Sequence, residues 1–239
     1  MIQLGVEIIM SQSTFLNCIK LKKIYKNNNI EKIALEEVNL SLNKGEFISI
    51  YGPDGSGKTT LLTLLGGLEN PTKGDIILEE KTLANFSKKE LLNYHRFEVG
   101  FVFESYNLIP VLTAFENVEF PMLLTNSSKA ERIERVNHLF EVIGLRERKE
   151  FKPSELSNEE IQRVAIARAV VNKPKVLLAD EPTGVLTSDA GENILKILRI
   201  LNDTENQTIL LATHNHAVAK RTDRIFYLEN GKIGKEEKN

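Results

Sequence analysis

Cysteine is nearly absent from this chain of 239 residues, and neither a long apolar run nor an excess of one charge is present. The single cysteine, Cys18, excludes a disulfide within the chain, and we predict that it fills the core of a protein kept in a reducing compartment. No apolar run approaches the ~18 residues that a membrane-spanning helix needs. A formal net charge of -2 gives no general attraction to nucleic acid, so no nucleic-acid partner is expected.

The first residues do not have the composition of a secretory signal. The segment from Met1 to Met10 is mildly apolar, but Glu7 interrupts it and a basic start is missing. Met10 is a second candidate for the natural start of the protein. N-terminal sequencing of the native protein tests that hypothesis.

The most informative stretch runs from Gly52 to Thr60. A glycine, four residues, a second glycine, a lysine and a threonine form the pattern of a phosphate-binding loop. The loop follows the strand-like run Phe47–Ile50 and precedes the helix-like run Leu61–Leu65, which is the context that the motif needs. The alternative, a glycine-rich turn that spells the motif by chance, does not explain this context.

Each residue type in the loop has a physical role. Glycines let several backbone N–H groups converge on one anion, and the N-terminus of the following helix favours phosphate. Lys58 can reach the β- and γ-phosphates, and the Thr59 hydroxyl can ligate Mg²⁺. We predict that the whole loop binds the nucleotide: Gly52, Pro53, Asp54, Gly55, Ser56, Gly57, Lys58, Thr59 and Thr60.

Two other apolar runs end in residues that suit a nucleotide site. The strand-like run Val176–Ala179 leads into Asp180 and Glu181, and a second run, Thr208–Ala212, ends shortly before His214. Carboxyl ends of parallel strands meet at one sheet edge, where the phosphate loop also lies. We predict that Asp180 holds Mg²⁺, that Glu181 is the general base and that His214 contacts the γ-phosphate. A solvated helix start and a surface histidine are the simpler alternatives.

Strands that alternate with helices predict an α/β fold. We expect a phosphate-loop NTPase core, in which a mostly parallel sheet carries helices on both faces. Alternation over Phe15–Ile24 and Ile33–Leu42 predicts a hairpin, and thus an antiparallel β addition at the N-terminus. From Ser105 to about Pro153 the pattern is mostly helical, which indicates an inserted helical lobe. The charged tail from Lys235 to Asn239 is expected to fray.

These features resemble the ATP-binding subunit of ABC transporters, from about Phe15 to Gly234. The loop, Asp180 with Glu181, and His214 correspond to the Walker A motif, the Walker B motif with its catalytic glutamate, and the switch histidine of that family. Tyr25 matches the aromatic residue that stacks on adenine. The sequence from Leu156 and Ser157 through Gln162–Ala169 resembles the signature helix of the family.

The resemblance implies a single ATP-binding domain over residues 1–239. Residues 15–104 and 173–234 would form the core with its N-terminal β part. Residues from about 105 to 172 would form the helical lobe, including the signature helix.

Four further segments resemble the lipoprotein-release, macrolide-export and cell-division branch of the family: Gly66–Thr72, Gly100–Phe103, Asn107–Pro110 and Asp180–Gly184. The resemblance implies ATP and Mg²⁺ as ligands and a head-to-tail dimer, formed with itself or with a paralogous ATP-binding subunit. In such a dimer, Ser157 of one subunit would contact the partner's ATP. A transmembrane permease would dock near Glu104–Pro110 and hold the chain in the cytoplasm, on the inner face of the cell membrane.

Four residues in three segments depart from the family pattern around the γ-phosphate. Asn158 and Glu159 stand where the signature has two glycines, Glu104 stands where a glutamine ligates Mg²⁺, and Thr187 replaces an aspartate that links the subunits. A Glu159 that faces the phosphate would weaken dimer closure, whereas a side chain turned to solvent would avoid most of that repulsion. Glu104 can still ligate Mg²⁺.

Three functional hypotheses follow. The first is an ATP-hydrolysing motor subunit of a transporter, with a rate that the altered positions reduce. The second is a subunit that binds ATP but hydrolyses it weakly, as the degenerate half of a heterodimer or as a regulator. The third is a non-transport ABC ATPase that works on DNA or ribosomes, although the chain lacks the coiled-coil insertion or second cassette that such proteins usually carry.

Overall fold

The computed structural model describes residues 14–27 and 30–239. The hypothesis about Met10 lies outside these residues, as do Asn28 and Asn29 between the two strands of the predicted hairpin. The strands are β1 Thr14–Asn27, β2 Ile30–Asn43, β3 Phe47–Tyr51, β4 Lys73–Leu78, β5 Lys81–Thr82, β6 Val99–Val102, β7 Val176–Asp180, β8 Thr208–Thr213, β9 Arg224–Glu229 and β10 Lys232–Lys238. The α-helices are α1 Lys58–Leu65, α2 Lys88–Asn93, α3 Ala114–Glu119, α4 Lys129–Val142, α5 Asn158–Val170, α6 Ser188–Glu205 and α7 His216–Ala219.

The larger sheet has six strands in the order β10-β9-β3-β8-β7-β6. All neighbours from β9 to β6 are parallel, and only β10 runs antiparallel to its neighbour. Every residue of β7 and β8 is buried, because helices cover both faces of this sheet. The predicted mostly parallel sheet is therefore confirmed.

The smaller sheet is antiparallel and has the order β2-β1-β4-β5. It begins with the predicted N-terminal hairpin, in which Tyr25 pairs with Lys32. The two strands after the first helix also join it, so the antiparallel part is larger than the hairpin alone. This sheet covers one face of the nucleotide-binding core.

Two apolar clusters lie on opposite faces of the six-stranded sheet. Successive residues of a strand point to opposite sides, so Leu177 belongs to one cluster and Leu178 to the other. One cluster joins the sheet to α3–α6, and the other joins it to α1 and the smaller sheet. Cys18 lies in the second cluster, and burial raises the pKa of its thiol to about 12, as expected of a residue that only fills the core.

The segment between β6 and β7 is helical, as the sequence predicts. A capping box starts α4: Glu131 N–H donates to Ser128 Oγ at 3.3 Å, and Ser128 N–H donates back to the Glu131 carboxylate at 2.7 Å. The helix buries Val136, Leu139 and Phe140. The division of the chain into a core and a lobe of about residues 105–172 stays a prediction.

The prediction of a frayed tail is wrong. Residues Lys232–Lys238 form β10, which pairs with β9. Charged side chains of the tail find partners across this pair: Arg224 Nε donates to Glu236 at 2.9 Å, and Tyr227 Oη donates to Glu237 at 2.9 Å. Composition alone suggested a solvated end, but cross-strand pairing satisfies these charges.

Candidate functional site

The phosphate-binding motif forms the loop between β3 and α1. Gly57 has φ of 108°, and a Cβ at this position would lie 2.6 Å from the carbonyl oxygen of Ala34. Gly55 also has a positive φ, of 75°. These conformations are readily available only to glycine, so the loop can turn its backbone N–H groups toward one point at the start of α1.

Lys58, the first residue of α1, is held at the mouth of the loop. Its side chain is only 6% exposed, and Nζ donates to the carbonyl oxygens of Gly52 at 2.9 Å and Pro53 at 3.2 Å. The same Nζ lies 3.3 Å from Oε1 of Glu181. A buried ammonium group beside a phosphate loop provides a fixed positive charge for an anion.

The predicted carboxylates and histidine meet at the same edge of the sheet. Asp180 ends β7, and Glu181 follows it with φ of 45°. His214 directly follows β8, and its Nδ1 lies 3.1 Å from Oε1 of Glu181. The two strands are neighbours, so the adjacent residues Asp180 and Glu181 and the distant His214 lie together beside the phosphate loop.

Asp180 and Glu181 are buried carboxylates with oxygens that have no hydrogen-bond partner among the described residues. Burial is the main cause that raises the pKa of Asp180, and the charges of Glu181 and Glu104 raise it further, against the hydrogen bond from Thr59 and the charge of Lys58. A divalent cation at this point would offset the negative charge of these three carboxylates. Three oxygen ligands for Mg²⁺ are thus available from Thr59, Asp180 and Glu104.

A cavity of about 450 Å³ joins these groups, except Asp180, which is buried behind its lining. Its lining includes most of the predicted site residues, namely Tyr25, Asp54, Gly55, Gly57, Lys58, Thr59, Thr60, Glu104, Glu181 and His214. The sequence analysis missed Lys32, Ala34 and Gly184, which also line it. Lys32 could have been found from the hairpin, since its register places Lys32 beside Tyr25.

The other predicted residues lie behind or away from the cavity. The carbonyl groups of Gly52 and Pro53 fix Lys58, and Ser56 is buried beneath the loop. Ser157 is the N-cap of α5, where its N–H donates to the Glu160 carboxylate at 2.8 Å. Within the described chain Ser157 is not part of this cavity's lining, as expected if its ligand belongs to a second subunit.

The altered signature residue Glu159 is neutralised within its own chain. Its carboxylate pairs with Arg163, one turn further along α5, and accepts a hydrogen bond from Asn193 of α6 at 3.1 Å. It is therefore neither turned to solvent nor an uncompensated charge. Thr187 caps α6 by accepting a long hydrogen bond of 3.5 Å from Ala190 N–H.

The loop that follows Glu104 is held by the signature helix. Tyr106 and Asn107 both have positive φ, of 62° and 51°. Arg168 of α5 donates to the carbonyl oxygens of Asn107 at 2.6 Å and Tyr106 at 2.8 Å. No local sequence pattern indicates this contact, because its partners are about 60 residues apart.

Comparison with known proteins identifies the family. A family model described as ABC transporter matches residues 35–184. The chain belongs to the ABC transporter family. Two solved structures have the same fold as this ATP-binding subunit. The first is a dimer of the MJ0796 cassette in a post-hydrolysis state bound to ADP and Pi, with a TM-score of 0.86 and 40% identity over 93% of this chain and 98% of that one. The second is cbiO1 from Clostridium perfringens, part of the ABC transporter complex cbiONQ, with a TM-score of 0.84 and 26% identity over 95% of this chain and 89% of that one.

Curated relatives place this ABC ATP-binding subunit in the predicted branch. The uncharacterized ABC transporter ATP-binding protein MJ0796 of Methanocaldococcus jannaschii is 42% identical over 92% of this chain and 97% of its own length. The lipoprotein-releasing system ATP-binding protein LolD of Buchnera aphidicola is 38% identical over 91% and 96%. The macrolide export ATP-binding/permease protein MacB of Brucella melitensis is 40% identical over 88% of this chain, which matches 32% of that larger protein. These relatives favour the transporter hypotheses over a non-transport ATPase.

No helix in the described part of this subunit is both long enough and apolar enough to cross a membrane. In its relative MacB, the matching region belongs to a protein named as both ATP-binding protein and permease.

Proposed function

We propose that this subunit hydrolyses ATP and thereby drives a separate membrane permease of the lipoprotein-release or macrolide-export type. The observation that carries the proposal is the juxtaposition of Lys58, Glu181 and His214 in one cavity with the phosphate loop. A lysine for the phosphates, a carboxylate for the water and a histidine for the γ-phosphate are the groups that this reaction needs.

The cavity offers each part of MgATP a partner. Tyr25 would stack on adenine, and the loop amides with Lys58 would hold the phosphates. Thr59, Asp180 and Glu104 would hold Mg²⁺, which neutralises charge that develops on the phosphate oxygens. The orphaned oxygen of Asp180 supports this assignment.

Glu181 is positioned to accept the proton of the attacking water. The water oxygen forms a bond to the γ-phosphorus as the bond from that phosphorus to the β–γ bridging oxygen breaks, and ADP and phosphate result. Burial and a fixed backbone keep the carboxylate in place, and His214 at 3.1 Å can orient the γ-phosphate or the water. The reaction therefore uses residues from the ends of β7 and β8.

Partners would complete the site. Ser157 of a second ATP-binding subunit, either a second copy or a paralogue, would close on the γ-phosphate in a head-to-tail dimer. A permease would dock at the groove near Glu104–Pro110, which a cavity lined by Phe103, Asn107 and Arg168 extends. Docking there would hold the subunit on the cytoplasmic face of the membrane.

Steady-state phosphate release tests the proposal. We expect Glu181→Gln to lower the rate by at least roughly 100-fold, because general-base catalysis contributes about that much. ATP binding should persist in Glu181→Gln but be lost in Lys58→Ala. Equal rates for the original chain and Glu181→Gln would remove Glu181 as the base.

The altered signature favours a second candidate, a subunit that binds ATP but hydrolyses it weakly. Asn158 and Glu159 add side chains where two glycines would let the backbone approach the partner's nucleotide. Replacing both by glycine distinguishes the candidates. A large rise in turnover or in ATP-driven dimerisation supports the weak subunit, whereas unchanged turnover shows that these side chains do not limit the reaction.

A further inference from the structure

Asp54 lies at the point of the phosphate loop nearest to the groups assigned to the γ-phosphate. Its Oδ1 is 3.9 Å from Nζ of Lys58 and 3.8 Å from Nδ1 of His214. The side chain is 91% exposed and lines the same cavity. A negative charge therefore stands beside the two side chains that would contact the terminal phosphate.

We propose that Asp54 sets the preference of the pocket between ATP and ADP. The inference rests on the proposed function, which assigns Lys58 and His214 to the γ-phosphate. In the described chain, the carboxylates of Asp54 and Glu181 each lie 3.1–3.9 Å from both of these side chains. Asp54 thus substitutes in part for the terminal phosphate when that phosphate is absent.

ADP and ATP would interact differently with the Asp54 carboxylate. The α- and β-phosphates of ADP can bind the loop amides while Asp54 keeps its place beside Lys58 and His214. The γ-phosphate of ATP requires those same partners, so Asp54 must turn into solvent or remain beside another anion. Either change weakens ATP binding and leaves ADP binding nearly unaffected.

A cation could reverse this effect. Ligand atoms of Asp54, Glu181 and His214 lie within 4.8 Å of one another, so the three residues could hold a divalent ion. Lys58 at 3.3 Å from Glu181 and 3.9 Å from Asp54 already supplies a positive charge at that place, which disfavours a second cation. We therefore infer that Asp54 repels the γ-phosphate of ATP. A role for Asp54 as a ligand of a cation between it and the phosphate would contradict this inference.

Equilibrium titrations test the assignment. We measure the dissociation constants of ADP and of a non-hydrolysable ATP analogue, with Mg²⁺ and at chain concentrations where light scattering shows a monomer. Asp54→Asn should raise the ratio of the ADP constant to the ATP-analogue constant by about fivefold or more, which corresponds to about 1 kcal/mol. Asp203→Asn, which removes an exposed charge on α6, is the matched control and should leave the ratio unchanged.

Each contrary outcome has a separate meaning. Equal shifts for both nucleotides, or no shift, would overturn the role of Asp54 in selectivity. Weaker binding of the ATP analogue in Asp54→Asn, together with a weaker dependence on Mg²⁺, would make Asp54 a cation ligand instead. In these titrations, failure of the proposed function would look different, because neither nucleotide would then bind the original chain in a way that Lys58→Ala abolishes.

Discussion

Glu159 and Arg163 form an ion pair on α5, and Asn193 donates to the same carboxylate. Sequence comparison predicts a negative charge opposite the partner's nucleotide. The structure supplies a positive charge one turn away, so the net change relative to a glycine is mainly one of size rather than charge. Asn158 is uncharged, so it differs from a glycine only in the size and polarity of its side chain.

Gly57 is a residue at which the phosphate loop tolerates little change, because both its backbone conformation and its surroundings exclude a side chain. We expect Gly57→Ala to lower the free energy of unfolding by roughly 1–3 kcal/mol, because the added Cβ meets the Ala34 carbonyl and the φ of 108° is strained for alanine. Urea denaturation measures the loss. Gly234→Ala is the control, since its Cβ meets nothing within 4 Å, and an equal loss in both variants would contradict this explanation.

At the scale of elements, α5 connects two parts of the proposed mechanism. Ser157 caps its N-terminus, and Arg168 near its C-terminus holds the loop after Glu104. The guanidinium stabilises two residues in the left-handed conformation, each of which costs of order 1 kcal/mol. Movement of this helix would therefore change both the signature segment and the loop that carries Glu104.

Replacing Arg168 should loosen that loop without unfolding the core. We expect Arg168→Met to speed amide hydrogen exchange over residues 104–108 by about tenfold or more, because Tyr106 and Asn107 lose the donors that fix them. Exchange in β7 and β8 should not change. The control Arg221→Met removes an exposed pair with Glu192, and faster exchange of the loop there as well would contradict a specific role.

Glu205, the last residue of α6, pairs with Arg135 of α4. Burial raises the pKa of its carboxyl, but the hydrogen bond and charge of Arg135 outweigh that effect and hold the pKa below its usual range. Arg135 also donates to the carbonyl oxygens of Val170 and Val171 at the end of α5, and His138 lies 3.2 Å from Glu205. One arginine thus joins α4, α5 and α6.

This link predicts a dependence of stability on pH. A lowered folded-state pKa means that ionised Glu205 stabilises the protein above the unfolded value of about 4.3, and that the contribution is lost as pH falls through the folded value. Glu205→Gln should therefore destabilise the chain at pH 7, by a difference that shrinks below about pH 4. Urea unfolding across this range measures it. A constant difference, or the same pH trend in the exposed control Glu150→Gln, would contradict the account.

Local patterns in the sequence predicted elements whose residues are close together in the chain. The phosphate loop and the buried β7 follow from spacing alone. Pairing between distant segments could not be predicted in the same way: β4 extends the N-terminal sheet by pairing with β1. The charged tail forms β10 by pairing with the preceding strand β9, which its composition did not indicate. Each depends on a partner strand that the local pattern does not identify.

At the scale of the whole molecule, the proposed function assigns the chain one face of a nucleotide site and, through Ser157, the complement for another. The phosphate loop, Glu181 and His214 line a single cavity, whereas Ser157 lies outside it. Under this proposal, two subunits would be needed for one closed site. The solved MJ0796 cassette, 40% identical to this chain, is a dimer bound to ADP and Pi.

Light scattering on Glu181→Gln, with and without MgATP, tests the central claim most directly. The variant keeps the phosphate loop and Lys58 but lacks the proposed base, so ATP should persist in the site. We predict that the mass rises from that of one 27.0 kDa chain to about twice this value on addition of MgATP, and that Lys58→Ala in the same background abolishes the rise. A mass that stays at one chain while ATP occupies the site would contradict closure of the site by a second copy of this chain.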